Sequence, residues 1–368
     1  MKVGVLTSSR ADFGIYQPLL KRLKVDAAIE LTIIAFGAHL SPYHGNTIQE
    51  IKQEDFASVH TISSLLLNDD VESISTAYGL TVIKFSEYWR NHEYDIVLCL
   101  GDRYEMAAAV QAGIPFGVYF CHIHGGETTT GAIDNIYRHQ ITLASRLHFA
   151  ATGDYVKRIE SLIGSAENVY HTGSLSIDDI LSLDLPDDKI LRATYGIPEQ
   201  PYILGTFHPE TVHYTKNRDF AAQMYEALKS LAATFGVVIT MPNADTQGSI
   251  YREKIKQLKQ ELPDNICIVE HFGKLNYFAA MKYAHLLVGN TSSGIIEAAS
   301  FNKYVVNVGE RQQGRTQSPN VFNVAFEASS IVRESLAAAN LGEYHGENVY
   351  HKPGCAALMH QLIINQGE

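Results

Sequence analysis

The stretch from Asp95 to His139 constrains the fold of this chain more than any other. An apolar run over residues 96–100 stops at Gly101-Asp102-Arg103, and a helical run follows. A second apolar run over 118–123 stops at His124-Gly125-Gly126-Glu127, and the stretch closes with Gly131, Asp134 and Arg138-His139. Short apolar runs that end in polar clusters are the pattern of parallel strands covered on both faces. Their carboxyl ends line the crevice in which open α/β sheets bind ligands. Asp102, Glu127 and Asp134 are therefore expected to converge on one site with Arg103, His124 and His139.

The remaining chain repeats the alternation. Strands are predicted over 2–8, 31–36, 58–62, 96–100, 116–123 and 147–150, with helical spacing between them. After Gly173 the pattern changes to polar helical pieces over 176–183 and 187–195, broken by Pro186 and Pro198, which read as a hinge. A second alternating set follows, with strands over 202–206, 237–240, 266–269, 286–288 and 305–308, and a final helix over 355–366. This implies two parallel-sheet α/β halves, residues 1–175 and 176–354, with 355–368 able to pack back on the first. A chain of 368 residues is long enough for both.

Composition excludes several classes. A net charge of −11 argues against a broad nucleic-acid or anionic-membrane surface. No apolar run approaches the roughly 20 residues that cross a bilayer. The N-terminus reads as a first strand rather than a signal peptide. Cys99, Cys121, Cys267 and Cys355 show no metal or redox spacing, which points to reduced, buried thiols in a cytoplasmic protein. No HExxH or other metal-ligand spacing occurs, so no metal site is expected.

Each candidate motif has a plainer alternative. The Ser8-Ser9 turn with Arg10 could hold an anion or simply cap the next helix, and Asp102 could likewise be a cap. Gly289-Asn290-Thr291-Ser292-Ser293-Gly294 puts hydroxyls and N–H groups at a helix start, where a phosphate is favoured. Glu297 beyond it could accept from a ribose diol, or form a capping box. Arg311, after the following strand, tips the balance toward a nucleotide. His208 in His208-Pro209-Glu210 can donate to a phosphate, and Asn243 is either a base or phosphate contact or a turn residue.

These motifs occur together and in order: Ser9-Arg10-Ala11-Asp12, Gly101-Asp102-Arg103, His122-Ile123-His124-Gly125-Gly126-Glu127, Gly131-Ala132-Ile133-Asp134, Arg138-His139, His208-Pro209-Glu210 and Gly289 to Gly294. In that combination the chain resembles the hydrolysing UDP-N-acetylglucosamine 2-epimerases, which open bacterial sialic-acid synthesis. The resemblance implies an α/β protein of GT-B fold, two Rossmann-like domains with parallel sheets facing a central cleft. It implies anti elimination of UDP to 2-acetamidoglucal, then hydration to N-acetylmannosamine. Two proton-transfer groups on opposite faces of the sugar are needed, a role that carboxylates suit.

By position, the resemblance makes Asp102 and Asp134 catalytic, with the third role falling to Glu127 or to His124, where many relatives have Glu. It places substrate contacts on Arg10, Arg103, His139, His208, Asn243, Phe272 (through its backbone), Thr291, Ser292, Glu297 and Arg311. No cofactor or metal is implied. The expected ligands are a UDP-sugar and UDP, the expected assembly a homodimer or homotetramer, and closure of the halves on UDP is a further expectation. Alternatives are the same reaction on UDP-2,4-diacetamido-2,4,6-trideoxyglucose, a non-hydrolysing epimerase, a GT-B glycosyltransferase, and a non-catalytic nucleotide-sugar binder.

Overall fold

Strand sequences such as Lys2–Thr7 (β1) and Ile96–Leu100 (β4) are apolar at nearly every position, and their side chains are buried on both faces. Such strands can be satisfied only inside a sheet sandwiched by helices. The computed structural model, which describes residues 1–68, 70–180, 182–242 and 247–367, has two such sheets.

The chain divides into two compact units. The first comprises 1–128, 134–179 and 350–368, and the second 129–133 and 180–349. In the first, β1 is followed by α1 (Arg10–Val25), β2 (Glu30–Phe36), α2 (Ile48–Gln53), β3 (Ser58–Ile62), α3 (Val71–Asn91), β4, α4 (Tyr104–Gly113) and β5 (Phe120–Ile123). Then come α5 (Asp134–Ala144), β6 (Leu147–Ala150), α6 (Gly153–Ile163) and β7 (Val169–His171). All pairings are parallel, in the order β3-β2-β1-β4-β5-β6-β7.

The second unit runs α7 (Asp188–Tyr195), β8 (Tyr202–Thr206), α8 (Asn217–Leu231), β9 (Gly236–Thr240), α9 (Gly248–Glu261), β10 (Ile266–Val269) and α10 (Gly273–Tyr283). It continues with β11 (Leu286–Gly289), α11 (Ser292–Ile296), β12 (Val305–Val308), β13 (Val321–Val324) and α12 (Ala328–Ala339). Its sheet is also parallel, in the order β10-β9-β8-β11-β12-β13. Both orders reverse direction beside the first strand of the unit, between β1 and β4 and between β8 and β11. This is the Rossmann arrangement, whose ligands bind at the carboxyl ends of the strands beside the reversal.

The last helix, α13 (Cys355–Ile364), belongs to the first unit. Its Cys355, Ala356, Met359 and Ile363 share a core with Leu19, Leu20 and Leu23 of α1. The helix predicted over 176–183 is absent among the described residues, which form a short 3-10 turn, Leu175–Ile177, and bends. Asp178 is drawn instead to the start of α13, where its carboxylate accepts from the N–H groups of Cys355 (2.6 Å) and Ala356 (3.0 Å). Those are two of the donors a helix start leaves without an internal partner.

Two close approaches depend on glycine. A β-carbon on Gly289, whose φ is +148°, would stand 2.0 Å from the Thr206 carbonyl oxygen. One on Gly131 would stand 1.7 Å from that of Glu310. The first lets β11 run beside β8, and the second seats residues 129–133 against the loop after β12 in their unit. Thr130 N–H donates to the Gln313 carbonyl there, at 2.9 Å.

Candidate functional site

In the first unit the polar residues past β4 and β5 are drawn together by one side chain, Arg138 of α5. It is almost wholly buried, and a buried guanidinium draws acceptors to itself; its two terminal nitrogens have them, while Nε has none among the described residues. One of its terminal nitrogens donates to the Asp102 carboxylate. The other donates to the His124 carbonyl at 2.7 Å and lies 3.6 Å from Glu127 Oε2. His124 Nδ1 is 2.7 Å from Glu127 Oε1, and its Nε2 is 3.3 Å from Ser174 Oγ. Asp102, His124, Glu127 and Arg138 thus form one connected group. Within it the Glu127 side chain is 1% exposed and the Asp102 side chain 25% exposed. Asp134 is the first residue of α5, one helical turn before Arg138 and on the same face.

His124 follows the end of β5 and has φ +64°. His122 lies within β5 and does something else. Its Nε2 is 2.9 Å from the Gly101 carbonyl and its Nδ1 is 3.1 Å from Thr142 Oγ1. Burial pushes it down to about 3, so it is a neutral clamp between β4, β5 and α5. No group of His, Cys, Asp or Glu able to hold a metal occurs among the described residues. The four cysteines are free and buried, and burial raises the Cys99 and Cys355 thiols to about 12 and Cys267 to about 11.

The cap alternatives divide. Asp102 is not a cap, because α4 is capped by Arg103 without a side-chain bond. Arg103 is turned onto buried Glu105, with contacts of 3.0 and 3.2 Å. At the Ser8-Ser9 turn the cap is real. Asp12 Oδ2 accepts from both N–H groups (3.0 and 3.1 Å) and from Ser8 Oγ (2.6 Å), and Ser9 and Asp12 complete a capping box. The donors of that turn are already committed to a protein carboxylate, so of the two readings of the turn the cap is the one the geometry bears out. His139 is half-buried beside Arg138, with its Nδ1 unpartnered among the described residues. Burial, then Arg138 and Arg158, lower its pKa.

In the second unit, the loops after β8, β11 and β12 are tied by two buried side chains. Asn290 accepts from the His208 N–H at 2.7 Å and donates to its carbonyl at 2.8 Å. Glu210 Oε1 accepts from the N–H groups of Glu310 (3.0 Å) and Arg311 (3.2 Å), and Arg311 also donates to the Pro209 carbonyl at 2.7 Å. Burial raises the Glu210 pKa, against the pull of those donors. His208, Arg311 and the Gly289–Ser292 turn are therefore held along one edge of the sheet.

Thr291 caps α11, accepting from Ser293 N–H at 3.4 Å. Glu297 stands at the far end of that helix, so the two form no capping box. Glu297 is buried, and its Oε2 finds no hydrogen-bond partner among the described residues. Phe272 caps α10 and is buried against Tyr195. Its carbonyl accepts from Tyr195 (3.2 Å) and Asn276 (3.0 Å), so that backbone oxygen is already engaged. Asn243 lies outside the described residues.

Sequence reasoning gave no role to Arg138, Ser174, Asn290 or Glu210. Arg138 had a readable signal, since Asp134 and Arg138 stand four apart on an amphipathic helix. Ser174, Asn290 and Glu210 had none, because their partners are distant in sequence.

Residues 21–363 match the sequence family described as UDP-N-acetylglucosamine 2-epimerase. The chain is 33% identical over 332 residues to polysialic acid biosynthesis protein P7 of Escherichia coli, covering 90% of this chain and 84% of that one. It is 32% identical over 363 residues to the UDP-N,N'-diacetylbacillosamine 2-epimerase (hydrolyzing) of Legionella pneumophila, covering 98% and 95%. Its fold matches the crystal structure of UDP-GlcNAc 2-epimerase from Neisseria meningitidis bound to UDP-GlcNAc, with a TM-score of 0.82 at 17% identity, covering 99% and 100%. With a family match over nearly its whole length and two Rossmann-like sheets, this chain belongs to the UDP-N-acetylglucosamine 2-epimerase family.

Proposed function

We propose that the protein is a hydrolysing 2-epimerase that converts UDP-N-acetylglucosamine and water to N-acetylmannosamine and UDP, and so feeds sialic-acid synthesis in the cytoplasm. The observation that carries the reading is the Asp102–Arg138–Glu127–His124 group, two carboxylates held on one buried guanidinium at the carboxyl ends of β4 and β5. In the substrate the C1–O and C2–H bonds are anti. A carboxylate removes the C2 proton, the C–H electron pair becomes the C1–C2 double bond, and UDP leaves with the C1–O pair. Water then adds at C1 while a second group protonates C2 from the opposite face. Asp102, Glu127 and Asp134 supply these proton transfers. Arg138 keeps the first two at fixed positions, which is what a reaction needing groups on both faces demands.

The nucleotide is assigned to the second unit. His208, Arg311 and the Thr291-Ser292 turn offer donors to a diphosphate. The unpartnered Glu297 oxygen offers an acceptor to a ribose diol. Asn243, Phe272, Arg10, Arg103 and His139 complete the proposed substrate contacts. The ligands of the reaction are a UDP-sugar and UDP, and the assembly is a homo-oligomer.

A second reading has a specific observation behind it: the Legionella relative is named for UDP-N,N'-diacetylbacillosamine. The chemistry at C1 and C2 is unchanged, and only the sugar at C4 and C6 differs. Separate incubations with the two nucleotide sugars decide between them. The account expects free N-acetylmannosamine from UDP-N-acetylglucosamine at the higher kcat/KM. Preference for the diacetamido sugar would move the assignment to the second reading, and turnover of neither would refute both.

A further inference from the structure

We propose that Ser174 is a positioning residue for Glu127, acting through His124. The inference rests on the assignment of Glu127 to proton transfer. Ser174 follows β7 and lies 50 residues beyond His124 in the sequence, within the same unit. Its backbone is fixed by donation of its N–H to the Tyr350 carbonyl at 2.9 Å. Its hydroxyl is 3.3 Å from His124 Nε2 and 3.0 Å from Ser176 Oγ, and His124 Nδ1 is 2.7 Å from Glu127 Oε1. Ser176, Ser174, His124 and Glu127 are all buried.

The direction of each bond follows from what each group can do. An ionised carboxylate only accepts, so His124 Nδ1 carries the hydrogen. In the neutral ring Nε2 then has a lone pair, which accepts from the Ser174 O–H. Ser174 oxygen in turn accepts from Ser176. If the ring becomes cationic, both nitrogens donate, and the two hydroxyls rotate so that Ser174 accepts from Nε2 and donates to Ser176. The chain therefore keeps His124 satisfied in either charge state and holds its Nδ1–H on Glu127 throughout. Without the Ser174 hydroxyl, Nε2 faces a methyl group in a buried site, and a buried unpaired acceptor is costly. The imidazolium then has no second acceptor, and the ring whose Nδ1–H meets Glu127 loses the contact that fixes its far nitrogen.

Two features set up the test. The φ of +64° at His124 suits Asn, which tolerates this region. Asn also places an amide donor near the Nδ1 position but has nothing at the position of Nε2. Removal of the Ser174 hydroxyl therefore matters when residue 124 is His and not when it is Asn.

The experiment is a double-mutant cycle on the full-length enzyme with Ser174→Ala, His124→Asn and the pair. It uses whichever of the two nucleotide sugars the wild type turns over, with protium or deuterium at C2. We expect Ser174→Ala to lower kcat about tenfold, the size of one lost hydrogen bond in a buried charged network. KM should stay within about twofold, as for loss of an interaction made in the transition state. The primary isotope effect at C2 should rise. In the His124→Asn background Ser174→Ala should cost no further rate. If Ser174→Ala does not fold, Ser174→Cys, a poorer donor of similar size, is read in its place. Equal losses in both backgrounds, an unchanged isotope effect, or wild-type kcat in the single variant overturns this inference alone. A wild-type enzyme that turns over neither sugar overturns the parent reading and this one with it.

Discussion

At the scale of single residues, the account turns on a few buried charges. Asp102→Asn keeps the shape of the side chain and its contact with Arg138 but removes the base. We expect turnover to fall by at least about two orders of magnitude, the usual worth of one acid–base group. UDP affinity, measured by calorimetry, should be unchanged, because the nucleotide is assigned to the second unit. Wild-type turnover would remove Asp102 from the mechanism. Arg138→Met is expected to act on stability as well as rate. It leaves the buried Glu127 carboxylate and the half-shielded Asp102 carboxylate without their shared cation, and breaking such a buried pair costs roughly 3–5 kcal/mol. Urea unfolding reads that cost, and a loss below about 1 kcal/mol would show that the guanidinium is not the organising group. Much of this centre was legible. Two apolar runs ending in Asp102 and in His124 and Glu127 located it, because strand ends face the same way in a parallel sheet. Arg138 was visible in a motif but not in a role, since sequence does not show which cation is buried. At the Ser8-Ser9 turn two readings were balanced, and only the geometry of Asp12 separated them.

At the scale of elements, the strands that sequence located are, apart from the edge strand β3, buried at nearly every position. Those it missed, β7 and β13, close their sheets at one edge and are only partly buried, so they lack a continuous apolar run. The helix α12, and the use of Asp178 as a cap for α13, were also unread, the latter because its partner lies 177 residues away. The same burial that made the strands readable predicts how the fold responds to acid. His39, His122 and His148 are fully buried, and burial lowers their pKa values from 6.5 to about 4, 3 and 4. Each is neutral in the folded state and free to take a proton when unfolded. The unfolded chain therefore binds more protons below pH 6.5, and stability rises with pH through that window. Stability from these groups is complete above about pH 6.5 and is lost as pH falls toward 4 and then 3, by an amount on the order of several kcal/mol. Urea midpoints at pH 7.5, 6.5, 5.5 and 4.5 should be level at first and then fall. A midpoint unchanged down to pH 4.5 would contradict the neutral assignment of these rings.

At the scale of the whole molecule, two sheets that share one strand order, apart from a seventh strand in the first, each carry the side chains proposed for function at the carboxyl ends of strands beside the reversal. That repetition explains how a chain without a recognisable short repeat could still be read as two α/β halves. No helix among the described residues is long and apolar enough to cross a membrane. The family is fixed by sequence over residues 21–363, while the hydrolytic outcome and the sugar are the proposals made above. The claim that joins them is that the C2 proton of the sugar is lost and replaced while UDP departs. Incubation of the protein with UDP-N-acetylglucosamine in deuterated water, without any acceptor, followed by proton NMR, tests this most directly. The account predicts free N-acetylmannosamine carrying deuterium at C2, with an equal amount of UDP. A product that retains UDP, or a free sugar with protium still at C2, would contradict it.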